Sequence, residues 1–242
     1  MGIRYKYSKN SDREWILFLH GWGGNENSFD IIYDRLALDF SVLSINLSDI
    51  TSNYICKSLT MHDYIIAVLK VLREVGVEKC HIVCHSFGFR VAIILSRDST
   101  IDIKSMVIID GAGIKYVSLL TRLKIYHFKL KKFLVRVGVL SKSNIENSGS
   151  ADYKNLNLKD RCTFKNIVNY DLKNSIRYIS CDTMIIWGKR DHETPIFMAR
   201  YIHKCIDGSV LKIYDTGHYS YIENYIEFLY DIEEHFGKYL TI

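Results

Sequence analysis

Ser86 stands at the end of an apolar run, Cys80-His81-Ile82-Val83-Cys84-His85-Ser86-Phe87-Gly88, that turns into a second, amphipathic stretch. A serine at such a strand-to-helix turn is held in a strained backbone conformation that lifts its hydroxyl above the sheet, and the positions two before and two after it must be small. Here they are Cys84 and Gly88, so the G-x-S-x-G pattern is met at its second glycine and not at its first. A serine hydroxyl is a poor nucleophile at neutral pH. It needs a base to take its proton during attack, and a carboxylate to fix that base's tautomer and stabilise the imidazolium.

Two downstream segments supply such groups. TMIIWG at 183–188 leads into Lys189-Arg190-Asp191, and SVLKIYD at 209–215 leads into Thr216-Gly217-His218. Both candidates follow runs that read as strands, and open α/β sheets bind ligands past the C-terminal ends of their strands. Asp191 is therefore the expected acid and His218 the expected base. A helix cap near Pro195 is the plainer reading of Asp191, and Asp110, closing SMVIID at 105–110, is the alternative acid. Among the other histidines His192 is the rival base, His85 is expected to point away from Ser86, and His20 to brace a turn. Acyl transfer also needs donors aimed at a developing oxyanion. The glycine turn His20-Gly21-Trp22-Gly23-Gly24 is suited to present one.

The elements that must position these residues are short apolar runs: WILFLH at 15–20, SVLSINL at 41–47, CHIVCH at 80–85, and the three runs ending near Asp110, Asp191 and His218. Continuous hydrophobicity of this kind marks strands buried on both faces, as in a parallel sheet. Helix patterns lie between them. In residues 60–75, Thr60 and Asp63 form a capping box, Ile65, Val68, Leu69 and Leu72 share a face, and Gly76 is the stop. Helices are also expected over 87–97, over 195–206 from Pro195, and over 221–240 with the stripe Ile222, Ile226, Leu229, Ile232 and Phe236. The βαβα order predicts an α/β fold with a doubly wound, mostly parallel sheet and right-handed crossovers.

Residues 112–172 break the rhythm. They hold no clear buried strand, carry RLKIYHFKLKKFLVRVGVL and then the polar SKSNIENSGS, and are expected to form a helical lid inserted in a single domain spanning 1–242. Arg122, Lys124, Lys129, Lys131, Lys132, Arg136 and Lys142 occur there with no acidic residue among them. A solvated helix face is the plainer reading. The sharper one is a surface that attracts an acidic carrier protein or an anionic membrane.

At 242 residues and 48% hydrophobic, the chain can bury one large core but is short for two domains. Its net charge of +5 sets 32 basic residues against 27 acidic ones, too mild a balance to indicate nucleic acid. MGIRYKYSKN lacks the apolar region of a secretory leader, no later run approaches a membrane span, and Lys6 stands where a myristoylation pattern wants Ser or Thr. Cys56, Cys80, Cys84, Cys162, Cys181 and Cys205 lack paired zinc-site spacings, so reduced, mostly buried thiols in a cytoplasmic protein are expected. No metal or nucleotide motif is present, and no cofactor is expected.

Together HGWGG at 20–24, CHSFG at 84–88, GKRD at 188–191 and GHYSYIEN at 217–224 resemble the successive blocks of the α/β-hydrolase superfamily, in its order serine, aspartate, histidine. The likeness runs from residue 15 to 236. It implies a cofactor-free serine hydrolase with Ser86 as nucleophile, Asp191 as acid, His218 as base, and an oxyanion hole made of the backbone N–H groups of Trp22 and Phe87. The implied substrate is a small-molecule carboxylic ester or thioester, cleaved through an acyl-enzyme. Hydrolysis of a carbon–carbon bond in a diketone-like compound is the alternative within the family, and a non-catalytic ligand receptor on the same scaffold is the alternative from another class. Dehalogenases and epoxide hydrolases of this fold use aspartate where this chain has Ser86. Three features depart from the family pattern: Cys84 at the elbow, Leu47-Ser48-Asp49 in place of a proline-glycine turn, and an N-terminal hairpin shortened to about one strand.

Overall fold

The structure, a computed structural model, describes residues 2–11, 13–53, 58–115, 119–137 and 158–240. Seven strands form one sheet: β1 (Tyr5–Ser8), β2 (Trp15–Leu19), β3 (Ser41–Ile45), β4 (Lys79–His85), β5 (Asp102–Ile109), β6 (Asp182–Gly188) and β7 (Val210–Tyr214). Their spatial order is β1-β3-β2-β4-β5-β6-β7, with β1 antiparallel to β3 and every other pair parallel. All six apolar runs of the sequence are strands. Every residue of β2 and β3 is buried, as burial on both faces of a parallel sheet requires.

The described residues also form nine α-helices: α1 (Asp30–Leu36), α2 (Leu47–Asn53), α3 (Met61–Val75), α4 (Phe87–Leu95), α5 (Leu119–Arg136), α6 (Leu158–Asn169), α7 (Phe197–Cys205), α8 (Ser220–Glu223) and α9 (Tyr225–Gly237). The period-2 pleat sorts the strand residues between two apolar layers. Leu17 and Leu19 pack with Val68 and Leu72 of α3, Phe89 of α4 and Ile202 of α7. Ile16 and Phe18 face the other way, with Ile32 of α1 and Phe228 and Ile232 of α9. Helices on both faces make the sheet doubly wound. Helix α3 starts at the expected capping box, where the Thr60 N–H and hydroxyl both donate to Asp63 Oδ2, and it ends at Gly76 in the left-handed region, φ 83°.

The structure departs from expectation at several places. The C-terminal helix is broken at Asn224 (φ −129°, ψ 58°) into α8 and α9. The break resets the helical register, so Ile222 and Ile226 of the expected stripe are 52% and 77% exposed, while Ile232 and Phe236 are buried. Leu47-Ser48-Asp49 is no simple turn substitute but the start of α2, where Asn46 Oδ1 accepts the N–H groups of Ser48 and Asp49. The shortened N-terminal hairpin is the single strand β1. Cys80 and Cys84 are buried and Cys181 and Cys205 half-buried, but Cys162 on α6 is exposed; all five are free, and Cys56 lies outside the described residues.

Between residues 112 and 172 the described chain holds α5 and α6 and no strand. Lys132 and Arg136 of the basic run are exposed and Lys131 half-buried, while Lys142, the polar segment 141–150 and the side chains of Arg122, Lys124 and Lys129 lie outside the described residues. Among the described residues no helix is long and apolar enough to cross a membrane.

Candidate active site

Ser86 joins β4 to α4 with φ 47° and ψ −112°, a left-handed conformation that costs a non-glycine residue of order 1–3 kcal/mol. Neighbouring main chain holds it there: the Ser86 N–H donates to Ile109 O at 3.0 Å, and Ser86 O accepts from Ala112 N at 2.9 Å. The two small positions beside it behave differently. A Cβ on Gly88 would lie 2.0 Å from Leu19 O, so α4 reaches β2 only because that residue is glycine. Cys84 is fully buried, its thiol donating weakly to Val107 O at 3.5 Å, so the turn forms with a side chain at that position.

Asp191 and His218 meet Ser86 as expected. Ser86 Oγ lies 3.0 Å from His218 Nε2, and His218 Nδ1 lies 2.7 Å from Asp191 Oδ2. The loops after β6 and β7 bring them together. Asp191 Oδ1 accepts the N–H groups of Glu193 and Thr194 at 2.7 and 2.9 Å, so the carboxylate caps its own turn as well as facing the imidazole. The Thr194 hydroxyl adds a contact to Asp191 Oδ2 at 2.6 Å. Burial disfavours the Asp191 carboxylate, but the bonds from His218 and Thr194 outweigh it and hold the group below its usual range. Burial likewise disfavours a charged His218, and the Asp191 carboxylate outweighs it, raising the imidazole above its ordinary value. Glu223 pins the loop that carries the histidine, accepting from Gly217 N at 2.8 Å and from Tyr219 N at 3.3 Å.

The other candidates take different places. Asp110 is fully buried and accepts from Gly188 N at 2.8 Å and from Ser220 N and Oγ at 3.0 Å each, and the acid hydrogen-bonded to His218 is Asp191. His20 braces the glycine turn, its Nδ1 2.6 Å from Gly21 O and its Nε2 accepting Leu47 N–H at 2.8 Å. His85 does not simply point away. Its ring packs 5.0 Å from that of His218, with Nε2 on the His218 carbonyl at 2.8 Å, and burial lowers its pKa to about 3. A Cβ on Gly21 would strike that ring at 2.7 Å, which explains the glycine there. His192 is exposed, and the imidazole beside Ser86 is that of His218.

A cavity of about 460 Å³ opens over Ser86, and Trp22, Phe87, Arg90, Phe164, Glu193 and His218 are among the residues that line it. The Trp22 ring makes edge contacts with Phe87 at 5.5 Å and with Phe164 of α6 at 5.2 Å, so α6 walls one side of the cavity. Two charged lining residues escaped the sequence reading. Glu193 Oε2 lies 3.3 Å from His218 Nε2, and Arg90 is buried against the same space. The position of Arg90, in the first turn of the helix expected to start after Ser86, is the signal that could have found it. Among the described residues no group of three or more His, Cys, Asp or Glu side chains is placed to hold a metal ion.

Known proteins share this architecture. The enol-lactonase of Burkholderia xenovorans LB400 superposes with a TM-score of 0.71 at 15% identity, over 96% of this chain and 95% of that one. In sequence, the uncharacterised hydrolase YugF of Bacillus subtilis is 21% identical over 90% of this chain and 88% of its own length. The dihydrolipoyllysine-residue acetyltransferase component of the acetoin cleaving system of Cupriavidus necator is 30% identical over 114 residues, and the match spans 46% of this chain and 30% of that relative. The model of the alpha/beta hydrolase family matches residues 16–232, and the chain belongs to that family.

Proposed function

We propose that the chain is a serine hydrolase that cleaves a carboxylic ester or thioester through an acyl-enzyme on Ser86. The observation that carries this reading is the unbroken chain from Ser86 Oγ through His218 to Asp191, with contacts of 3.0 and 2.7 Å, at the floor of a cavity. His218 holds its proton on Nδ1, facing Asp191, which leaves Nε2 free to accept the serine proton. Ser86 Oγ then attacks the carbonyl carbon, and His218 returns the proton to the leaving oxygen or sulfur. Water, deprotonated by the same Nε2, attacks the acyl-enzyme, and Ser86 departs with its proton restored.

The negative oxygen of each tetrahedral intermediate falls to the backbone N–H groups of Trp22 and Phe87, which border the cavity beside Ser86. Phe87 is the first residue of α4, so its N–H has no intrahelical acceptor and adds the positive end of the helix dipole. Donors of this kind are each worth roughly 3 kcal/mol of barrier. Free thiols at five described positions suit a reducing, cytoplasmic setting.

A fluorophosphonate probe tests the reading. The wild-type protein is expected to be labelled at Ser86 and to hydrolyse p-nitrophenyl esters, and Ser86→Ala to do neither. A folded wild-type protein that takes no label and cleaves no ester would instead be a ligand receptor on this scaffold.

A further inference from the structure

We infer that Arg90 is a subsite for a carboxylate carried on the acyl half of the substrate, so that the preferred substrates are esters or thioesters of short dicarboxylic acids. This rests on the hydrolase reading of the same cavity.

Arg90 lies in the first turn of α4, the helix that begins directly after Ser86. It lines the cavity with Ser86 and is only 4% exposed. A guanidinium has five N–H donors, and burying one without a partner is costly. Among the described residues Arg90 makes one hydrogen bond, from Nη1 to the Tyr170 carbonyl at 2.6 Å, and no ion pair. Burial lowers its pKa to about 10 with only the field of Asp171 opposing, so it keeps its charge at neutral pH.

That single bond orients the head and, among the described residues, leaves most of the fork unmatched. The planar fork of arginine is complementary to a carboxylate, which it binds through two parallel bonds. Ala112, Phe164 and Ile167 add apolar surface to the lining of the same cavity, and a charge pair is stronger beside such low-dielectric walls than in open water. Glu193, the other formally charged side chain on the lining, is 62% exposed, so water screens it. An acyl chain whose carbonyl sits at Ser86 and whose far end is a carboxylate places its two polar groups at the two ends of this short stretch of helix.

Two esters with the same leaving group isolate the effect: the 4-nitrophenyl monoester of glutaric acid and neutral 4-nitrophenyl pentanoate. The wild-type protein is expected to show at least roughly tenfold higher kcat/KM on the monoglutarate, the gain typical of a charge-assisted pair. Arg90→Gln should remove that preference, and Arg90→Lys should retain part of it. Calorimetry of glutarate binding to Ser86→Ala, with and without Arg90→Gln, reads the subsite without catalysis. A wild-type protein that prefers the pentanoate, or a preference that survives Arg90→Gln, overturns the inference, and the first result needs no variant to fold. Labelling of Ser86 by a fluorophosphonate alongside absent glutarate binding would sink the subsite and leave the hydrolase. Arg90-dependent glutarate binding to an unlabelled wild-type protein would do the reverse.

Discussion

Asp110 and Asp191 follow neighbouring parallel strands, β5 and β6, and both carboxylates are buried and hydrogen-bonded to main-chain N–H groups. Their partners differ. Asp110, at φ 46°, binds Gly188 at the end of β6 and Ser220 at the start of α8, so it ties three strand-end segments together and meets no imidazole. Asp191 spends one oxygen on its own turn and turns the other to His218. Burial pushes Asp110 up to about 7 because its bonded neighbours bring no positive charge, while Asp191 stays low beside an imidazole that can take one. What separates the clamp from the proposed catalytic acid here is the identity of the group across the second oxygen, not depth.

The largest expected effect is on the Asp191 side. In Asp191→Asn the carbonyl oxygen can keep the Glu193 and Thr194 N–H bonds, and the amide then points its NH₂ at His218 Nδ1. That forces the proton onto Nε2, where it blocks transfer from Ser86, and kcat is expected to fall by about 10⁴. The melting temperature should move by only a few degrees. A loss under about tenfold would show that Asp191 is a second clamp like Asp110.

The converse holds for Asp110→Asn. Both of its oxygens accept backbone N–H groups, from Gly188 and Ser220, so neither flip of an amide avoids setting a donor against a donor. The variant is expected to lose about 2–4 kcal/mol of stability, roughly 10 °C in melting temperature, while kcat per folded molecule changes little. Stability against pH sharpens this. With a folded pKa near 7 the native state holds a proton that the unfolded state has released above about pH 4, so this site's contribution falls as pH rises from 4 to 7 and is flat above. The slope is at most about 1.4 kcal/mol per pH unit, and it should be missing from urea titrations of Asp110→Asn. Asp191, with its lowered pKa, acts in the opposite sense, stabilising above the ordinary carboxylate range and losing that contribution as pH falls through its folded value.

Much of this was legible in the chain. The strands that lead to Ser86, Asp110 and Asp191 end in apolar, buried runs, which read as strands without reference to any partner, whereas β7, which leads to His218, carries Lys212 and is only partly buried at the sheet edge. The site residues follow because each stands just past one of those runs. The division of labour between the two aspartates was not legible, because it depends on Ser220 folding back from beyond β7 onto Asp110. Nor was the turn at Asn224, where no proline or glycine marks the break and Glu223 is spent on the His218 loop. Arg90 was hidden for a third reason: the Tyr170 carbonyl that holds it comes from eighty residues away, just past α6.

The smallest expected effect lies where the two regions touch. Thr194 Oγ is 2.6 Å from Asp191 Oδ2 and 3.1 Å from Asp110 O, and a hydroxyl has one proton to give. The shorter contact and the carboxylate's charge assign it to Asp191. Thr194→Val keeps the shape and the backbone bond to Oδ1 but removes this donor, so Oδ2 turns more of its basicity towards His218. The imidazole pKa, already above its ordinary value, should rise further by a few tenths of a unit. Because Nε2 must be unprotonated to act as base, activity rises with pH through that pKa. The acid limb of kcat/KM therefore moves to higher pH, with less than about tenfold loss on the plateau. A limb that does not move would assign the proton to Asp110 O instead and place Thr194 with the clamp, because Oδ2 would then have no donor to lose.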